Sequence, residues 1–322
     1  MGKQQPGSTR VLVVGGWGRC GSTMLDMMLG AIDGFVSAGE LRELWLRGCV
    51  EDRPCGCGVP FSRCVFWTQV GKEAYGGWDQ LDLDTVLRVR YRWDRLWALP
   101  RLWRTLGRGR ARGSDVATYV DALERLVAAV ATVAGADVVV DSSKLPTHTL
   151  MLKQSDVLDV SLVHLVRDSR GVAFSNQKYV VKQVTSGDPT LLPRYGAIRS
   201  ALRWNVYNAI NTALAGRFGD HGVVVRYEDV VTDPQRQLRR LADLTEPDVG
   251  HELPFLDGSQ VSVQTNHMVD GNPVRFTSHT MTLSVDDEWR RRLSPRDRRT
   301  MTLLTWPLLR RYGYVRPHHR VT

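Results

Sequence analysis

Three short stretches of this chain combine the residue types that anion chemistry needs. The first runs Gly15-Gly16-Trp17-Gly18-Arg19-Cys20-Gly21-Ser22-Thr23. Its glycines allow a backbone to approach a ligand closely, and Arg19, Ser22 and Thr23 supply charge and hydroxyl donors. The second, Asp141-Ser142-Ser143-Lys144, sets two hydroxyls beside a cation, in what is either a site or a simple polar turn. The third runs Arg167-Asp168-Ser169-Arg170 and continues to Ser175, far enough along a helix for Arg167 and Ser175 to face one phosphate. Glu40 adds a carboxylate that could move a proton, or merely complement a helix dipole.

Each stretch follows an apolar run suited to a buried strand. Val11–Val14 precedes the glycines, Val138–Val140 precedes Asp141, and 159–166 precedes Arg167. Phe35–Ala38 delivers Gly39-Glu40-Leu41-Arg42, and Val223–Val225 delivers Arg226-Tyr227-Glu228-Asp229. Helical patterns fall between the strands: one opens at Ser22-Thr23 and runs through 24–29, one covers 116–133 between a Ser114 or Asp115 cap and Gly135, and one covers 194–218. In the last, Leu202, Val206, Ala209 and Ala213 share one face. The alternation predicts an α/β fold, a P-loop-like parallel sheet of about five strands with helices on both sides and the polar turns on one edge.

The glycine turn alone leaves its ligand open. Gly16-x-x-x-x-Gly21-Ser22-Thr23 has Walker A spacing with Ser22 in place of lysine, which argues against a nucleoside or sugar kinase. Gly16-x-Gly18-x-x-Gly21 also fits a dinucleotide fingerprint, with Glu40 at the ribose position. A single 5′-phosphosulfate held by loop amides, Arg19, Ser22 and Thr23 is the third reading, and an unliganded turn the fourth.

The formal charge of +9 favours anionic ligands, yet no nucleic-acid motif is visible. No apolar run approaches the roughly 20 residues of a membrane span, and Met1–Thr9 lacks the apolar core of a signal peptide. The expectation is a soluble, cytoplasmic protein with no transmembrane segment, one domain over 1–322. A helical insert at about 81–113 interleaves Arg88, Arg90, Arg92, Arg95, Arg101 and Arg104 with Trp93, Trp97 and Trp103, broken at Pro100, with Trp93 and Trp97 on one face. It is either a packed helix pair or a lid that docks an anionic, aromatic or lipid-like acceptor, with Arg42, Trp93 and Trp97 as acceptor contacts. Residues 107–114 read as a basic linker. Cys49, Cys55, Cys57 and Cys64 crowd one segment, as buried thiols, a disulfide or a zinc site, although Cys55-x-Cys57 is tighter than the usual zinc spacer. His164, inside a strand, reads as a core residue.

The paired anion turns resemble the two nucleotide-binding motifs of the sulfotransferases that use 3′-phosphoadenosine 5′-phosphosulfate (PAPS). Arg226-Tyr227-Glu228-Asp229 with Asp233-Pro234, and Arg311-Tyr312-Gly313-Tyr314, look like bacterial members of the carbohydrate- and tyrosylprotein-type branch. Cys20 stands where that family often has serine. The resemblance implies that Gly18, Arg19, Cys20, Gly21, Ser22 and Thr23 hold the 5′-phosphosulfate and that Arg167 and Ser175 hold the 3′-phosphate. Tyr227, Asn272 and Arg275 are expected to complete the nucleotide contacts. It further implies Glu40 as general base, with Lys144 and Arg19 stabilising the leaving phosphate oxygen. The sulfuryl group carries less charge than a γ-phosphoryl, so no metal is expected. The partner would be a hydroxyl acceptor, either a small molecule or a glycan or lipid. A P-loop nucleoside or sugar kinase and a non-catalytic phosphoadenosine-binding protein are the alternatives.

Overall fold

The strand that precedes the glycine turn is buried on both sides, which is why it reads as an unbroken apolar run. In the computed structural model this strand, β1 (Thr9–Gly16), turns Val11 and Val13 into one hydrophobic layer and Leu12 and Val14 into the other. All four are fully buried, each contributing about 1.5–3 kcal/mol of transfer free energy. The structure describes residues 8–105, 114–178, 181–182, 190–191, 194–245, 252–276 and 279–315.

Four further strands join β1: β2 (Phe35–Gly39), β3 (Val138–Lys144), β4 (Leu158–Val166) and β5 (Gly222–Arg226). Their order is β2-β3-β1-β4-β5 and every pairing is parallel. The chain leaves β1 toward β2 and β3 on one side, then crosses to β4 and β5 on the other. Such a switch point opens a crevice beyond the carboxyl end of the strand where the order reverses, here β1. The expected five-stranded parallel sheet is therefore present, with its crevice at the glycine turn.

The helices are α1 (Ser22–Leu29), α2 (Val65–Tyr75), α3 (Leu83–Trp93), α4 (Leu99–Thr105), α5 (Asp115–Ala134), α6 (Pro146–Leu152), α7 (Ser169–Gln177), α8 (Ala197–Arg217), α9 (Tyr227–Thr232), α10 (Pro234–Ala242), α11 (Trp289–Arg292) and α12 (Pro295–Arg311). α5 and the insert cover the face that holds Val11 and Val13; α1 and α10 cover the other. A three-stranded antiparallel sheet (Leu256–Asp257, Gln260–Ser262, Thr280–Thr282) lies outside the main one. No helix among the described residues is long and apolar enough to cross a membrane.

Three expectations are corrected. The insert breaks after Trp93, not at Pro100: Asp94 ends α3, and Pro100 sits in the first turn of α4, where a missing N–H leaves no bond unmade. Trp93 and Trp97 consequently lie on different elements, one 7% and the other 67% exposed. On α8 the Leu202–Val206 face is the exposed one. The buried stripe is Ala201, Trp204, Asn208, Asn211 and Leu214; Asn208 Oδ1 pairs with His164 Nε2 at 2.9 Å, and Asn211 Nδ2 donates to the Tyr207 carbonyl at 2.9 Å. His164 is a core residue as expected, its pKa lowered to about 4 by burial. Most of the 107–114 linker lies outside the described residues.

Candidate active site

The glycine turn closes on itself through left-handed backbone, with φ +71° at Arg19 and +96° at Gly21. Gly21 has no substitute: a Cβ there would sit 2.5 Å from the Tyr227 ring. α1 begins one residue later, so its first amides and its dipole point into the crevice. Beneath it, Asp26 accepts hydrogen bonds from Ser37 of β2 at 2.7 Å and Ser142 of β3 at 2.6 Å, tying the helix to both strands. Burial pushes the Asp26 carboxyl up to about 7.

Lys144 reaches the crevice by an irregularity in β3. The register against β1 slips between Val13 and Gly15, and Lys144 itself takes φ +67°, a costly conformation for a residue with a Cβ. A buried pair supports this bend. His148 Nε2 lies 2.7 Å from Asp141 Oδ2, while Asp141 Oδ1 accepts from the Ser143 amide and hydroxyl. The result places Lys144 Nζ 2.5 Å from Glu40 Oε1 and 3.1 Å from the Ser142 carbonyl. Burial pulls the ammonium down, but the Glu40 carboxylate outweighs it and leaves Lys144 above its ordinary pKa. Burial raises Glu40 above the usual carboxylate range, against the pull of Lys144.

A cavity of about 400 Å³ occupies the crevice. Of the residues expected at the site, the structure brings Gly18, Arg19, Gly21, Ser22, Thr23, Glu40, Lys144, Arg167, Ser175, Tyr227 and Asn272 together in its lining. Arg167 is aimed by its own neighbours: Nη1 donates to the Arg19 carbonyl at 3.1 Å, Nη2 to Asp286 at 2.9 Å, and the guanidinium stacks on Tyr227, 4.6 Å from the ring centre. Burial, then the proximity of Arg167, lowers the pKa of Arg19, whose buried Nη2 has no partner among the described residues. Two guanidiniums converging in a crevice with an unused donor is an arrangement that an anion would relieve.

Five expected contacts, Cys20, Arg42, Trp93, Trp97 and Arg275, do not line the cavity. The Cys20 thiol is buried in the apolar layer beneath the loop, and Cys20 does not line the cavity. Arg275 is buried behind the 270–276 loop, donating to the Pro54 carbonyl at 3.0 Å and the Gly271 carbonyl at 3.4 Å. Arg42 is held by Asp94 and Glu43, and Arg90 bonds Glu43 at 2.8 Å, so this charged cluster pins α3 to the segment after Glu40. Trp93 is buried under Arg101, and neither it nor Trp97 lines the cavity.

Sequence reasoning missed Trp17, Met24, Asn176, Tyr195, Asp270, Gly271 and Val274 in the lining. Trp17 offered a signal, an aromatic ring inside a glycine turn. It now forms a wall with Tyr195 and Tyr207, at 6.3 and 4.5 Å between ring centres. Asp270-Gly271, with φ +52° and +111°, brings its loop against the Glu40–Lys144 pair: a Cβ on Gly271 would lie 3.3 Å from Thr23 Oγ1 and 3.9 Å from Glu40 Oε1. The Asn272 amide donates to Thr23 Oγ1 at 3.2 Å.

The signature near the C-terminus has a structural use. Tyr314 Oη lies 2.6 Å from Glu228 Oε2 and 3.1 Å from the Val166 carbonyl, and the Asp168 amide donates to Glu228 at 3.2 Å. The chain end thus braces the turn that carries Arg167.

No protein-family model matches this chain, and no curated protein matches it in sequence. Among solved structures it is similar to a sulfotransferase domain from the Synechococcus PCC 7002 olefin synthase, at 19% identity and a TM-score of 0.44 over 98% of each chain. It is also similar to a sulfotransferase domain from the curacin biosynthetic pathway, at 16% identity and a TM-score of 0.43 over 94% of this chain and 99% of that one.

Proposed function

We propose that this chain transfers a sulfuryl group from PAPS to a hydroxyl acceptor, as the carbohydrate- and tyrosylprotein-type sulfotransferases do. One observation carries the reading: Arg19, with its unused buried donor, converges with Arg167 on a crevice whose other wall is the Glu40–Lys144 pair. The residues fit a nucleotide with an anionic group at each of two positions. The amides of 18–23, Arg19, Ser22 and Thr23 would hold its 5′ end, and Arg167 with Ser175 its 3′-phosphate. PAPS supplies an activated sulfuryl group on a phosphate leaving group.

The protein's own work is positioning and charge. Glu40 accepts the acceptor hydroxyl's proton at its carboxylate, and burial, by raising its pKa above the ordinary range, makes it a stronger base than a free glutamate. Lys144 stays protonated and, with Arg19, faces the oxygen on which negative charge develops; such a donor is worth about 3–4 kcal/mol. Trp17 and Tyr195 line one side of the crevice with aromatic surface. A kinase reading lacks its cation, because buried Ser22 stands at the lysine position.

The test is mass spectrometry after incubation with PAPS and a panel of phenols, sugars and hydroxylated lipids. A product heavier by one sulfuryl group, absent without enzyme, is expected. Magnesium-dependent consumption of ATP in its place would overturn the assignment.

A further inference from the structure

Outside the crevice, three cysteines and a histidine meet at one point. Cys55, Cys57, Cys64 and His267 each offer one ligand atom, and these atoms all lie within 4.8 Å of one another. The Sγ atoms of Cys64 and Cys55 are 3.6 Å apart, and those of Cys57 and Cys64 are 3.8 Å apart. His267 Nδ1 lies 3.3 Å from Cys64 Sγ and 3.5 Å from Cys55 Sγ. A tetrahedron with Zn–S of about 2.3 Å and Zn–N of about 2.05 Å has edges of about 3.8 Å between sulfurs and about 3.5 Å between sulfur and nitrogen. These four separations lie within about 0.3 Å of those edges, and the other two, Cys55–Cys57 and Cys57–His267, are within 4.8 Å. Cys49, counted with this cluster on sequence grounds, stands outside it.

We infer that Cys55, Cys57, Cys64 and His267 form a structural zinc site. The five cysteines are free thiols, and a single disulfide would leave a third sulfur and an imidazole nitrogen converging with no purpose. The ligands are also held in place before any metal arrives. The His267 ring stacks on Phe66, 4.6 Å between centres and 7° between planes, and Trp67 Nε1 fixes the His267 carbonyl at 2.8 Å. The short Cys55-x-Cys57 spacer works because the chain turns tightly there. The Gly58 amide reaches the Cys55 carbonyl, the Cys55 amide reaches the Val59 carbonyl, and Gly58 takes φ +88°. Gly56 lies against Asn266, where a Cβ would come within 2.0 Å of its Oδ1. Buried Arg275, donating to the carbonyl of Pro54 beside Cys55, places positive charge near a site whose three thiolates outweigh the dication by one.

Four protein ligands leave no open coordination position, so the site is structural. On binding, the three thiols release their protons to solvent and three Zn–S bonds and one Zn–N bond form. The consequence reaches the crevice. The site clamps 55–64 to His267, and the same loop continues into Asp270, Gly271 and Asn272 of the cavity wall. The amide of Gly56 bonds the carbonyl of Met268, and Val269 pairs with Gly39 beside Glu40.

The experiment is metal analysis of the whole chain, purified under reductant from zinc-supplemented medium. About one zinc per chain is expected. Exchange for cobalt should give thiolate-to-cobalt charge transfer and the intense visible bands of a tetrahedral site. Cys64→Ser and His267→Ala should each lose most of the metal. Zinc far below one per chain in the reduced wild type, even after incubation with zinc chloride, would overturn the site. So would a full zinc equivalent retained by both folded variants. If the variants do not fold, the cobalt spectrum of the wild type decides: octahedral bands without thiolate charge transfer would overturn it.

Discussion

Lys144 Nζ sits 2.5 Å from Glu40 Oε1, although 104 positions separate the two residues. One comes from the end of β2 and the other from a bend in β3, and their meeting on the glycine crevice is what gives the proposed reaction its base and its cation. The two roles are separable. Glu40→Gln keeps shape but cannot accept a proton, so kcat on an aliphatic alcohol should fall by about 10²–10⁴-fold. The loss should shrink for an acidic phenol, which needs no base. Lys144→Ala should depress kcat by about 10²–10³-fold for every acceptor. Steady-state kinetics on two acceptors of different pKa distinguishes the cases; near-normal kcat for Glu40→Gln on the alcohol would place the base elsewhere.

The insert is tied to the site by charge. Arg90 is buried against Glu43, and Arg42 bridges Glu43 and Asp94. Removing one partner of a buried network leaves the others uncompensated, so Arg90→Met should cost about 3–5 kcal/mol in denaturant unfolding. Exposed Trp97 packs on nothing comparable, and Trp97→Ala should shift stability by within about 0.5 kcal/mol. A raised acceptor KM in that variant, with nucleotide affinity unchanged, would give the insert a part in acceptor docking.

Asp26 predicts a pH dependence. Its carboxyl titrates at about 7 in the folded chain and near 3.8 when exposed, so between those values the folded state holds a proton that the unfolded chain has lost. Stability from this group is present at low pH and is lost as pH rises toward 7, by up to about 1.4 kcal/mol per pH unit. Asp26→Asn should remove that slope. Parallel unfolding curves for both proteins from pH 5 to pH 8 would show that Asp26 is not the source.

Much of this was legible in the chain because fully buried parallel strands announce themselves. Val11–Val14, Val138–Val140 and Val223–Val225 each read as apolar runs ending in polar turns, and those ends line the crevice. What sequence could not show depends on contacts between distant segments. Arg42 was read as facing an acceptor, but Asp94, 52 residues on, captures it. Arg275 looked like a nucleotide contact, yet it serves the Pro54 carbonyl. The face of α8 that looked apolar is outside, because Asn208 is needed inside by His164. His267 gave no hint of the three cysteines it would meet about 200 residues away.

The most direct measurement of the central claim is calorimetric binding of adenosine 3′,5′-bisphosphate and adenosine 5′-monophosphate to the same protein. The 3′-phosphate contact with Arg167 should be worth about 1.5–3 kcal/mol, a preference of roughly 10- to 100-fold for the bisphosphate. Arg167→Ala should abolish most of that preference while leaving 5′-monophosphate affinity nearly unchanged. Equal affinity of the wild type for the two nucleotides would contradict the account.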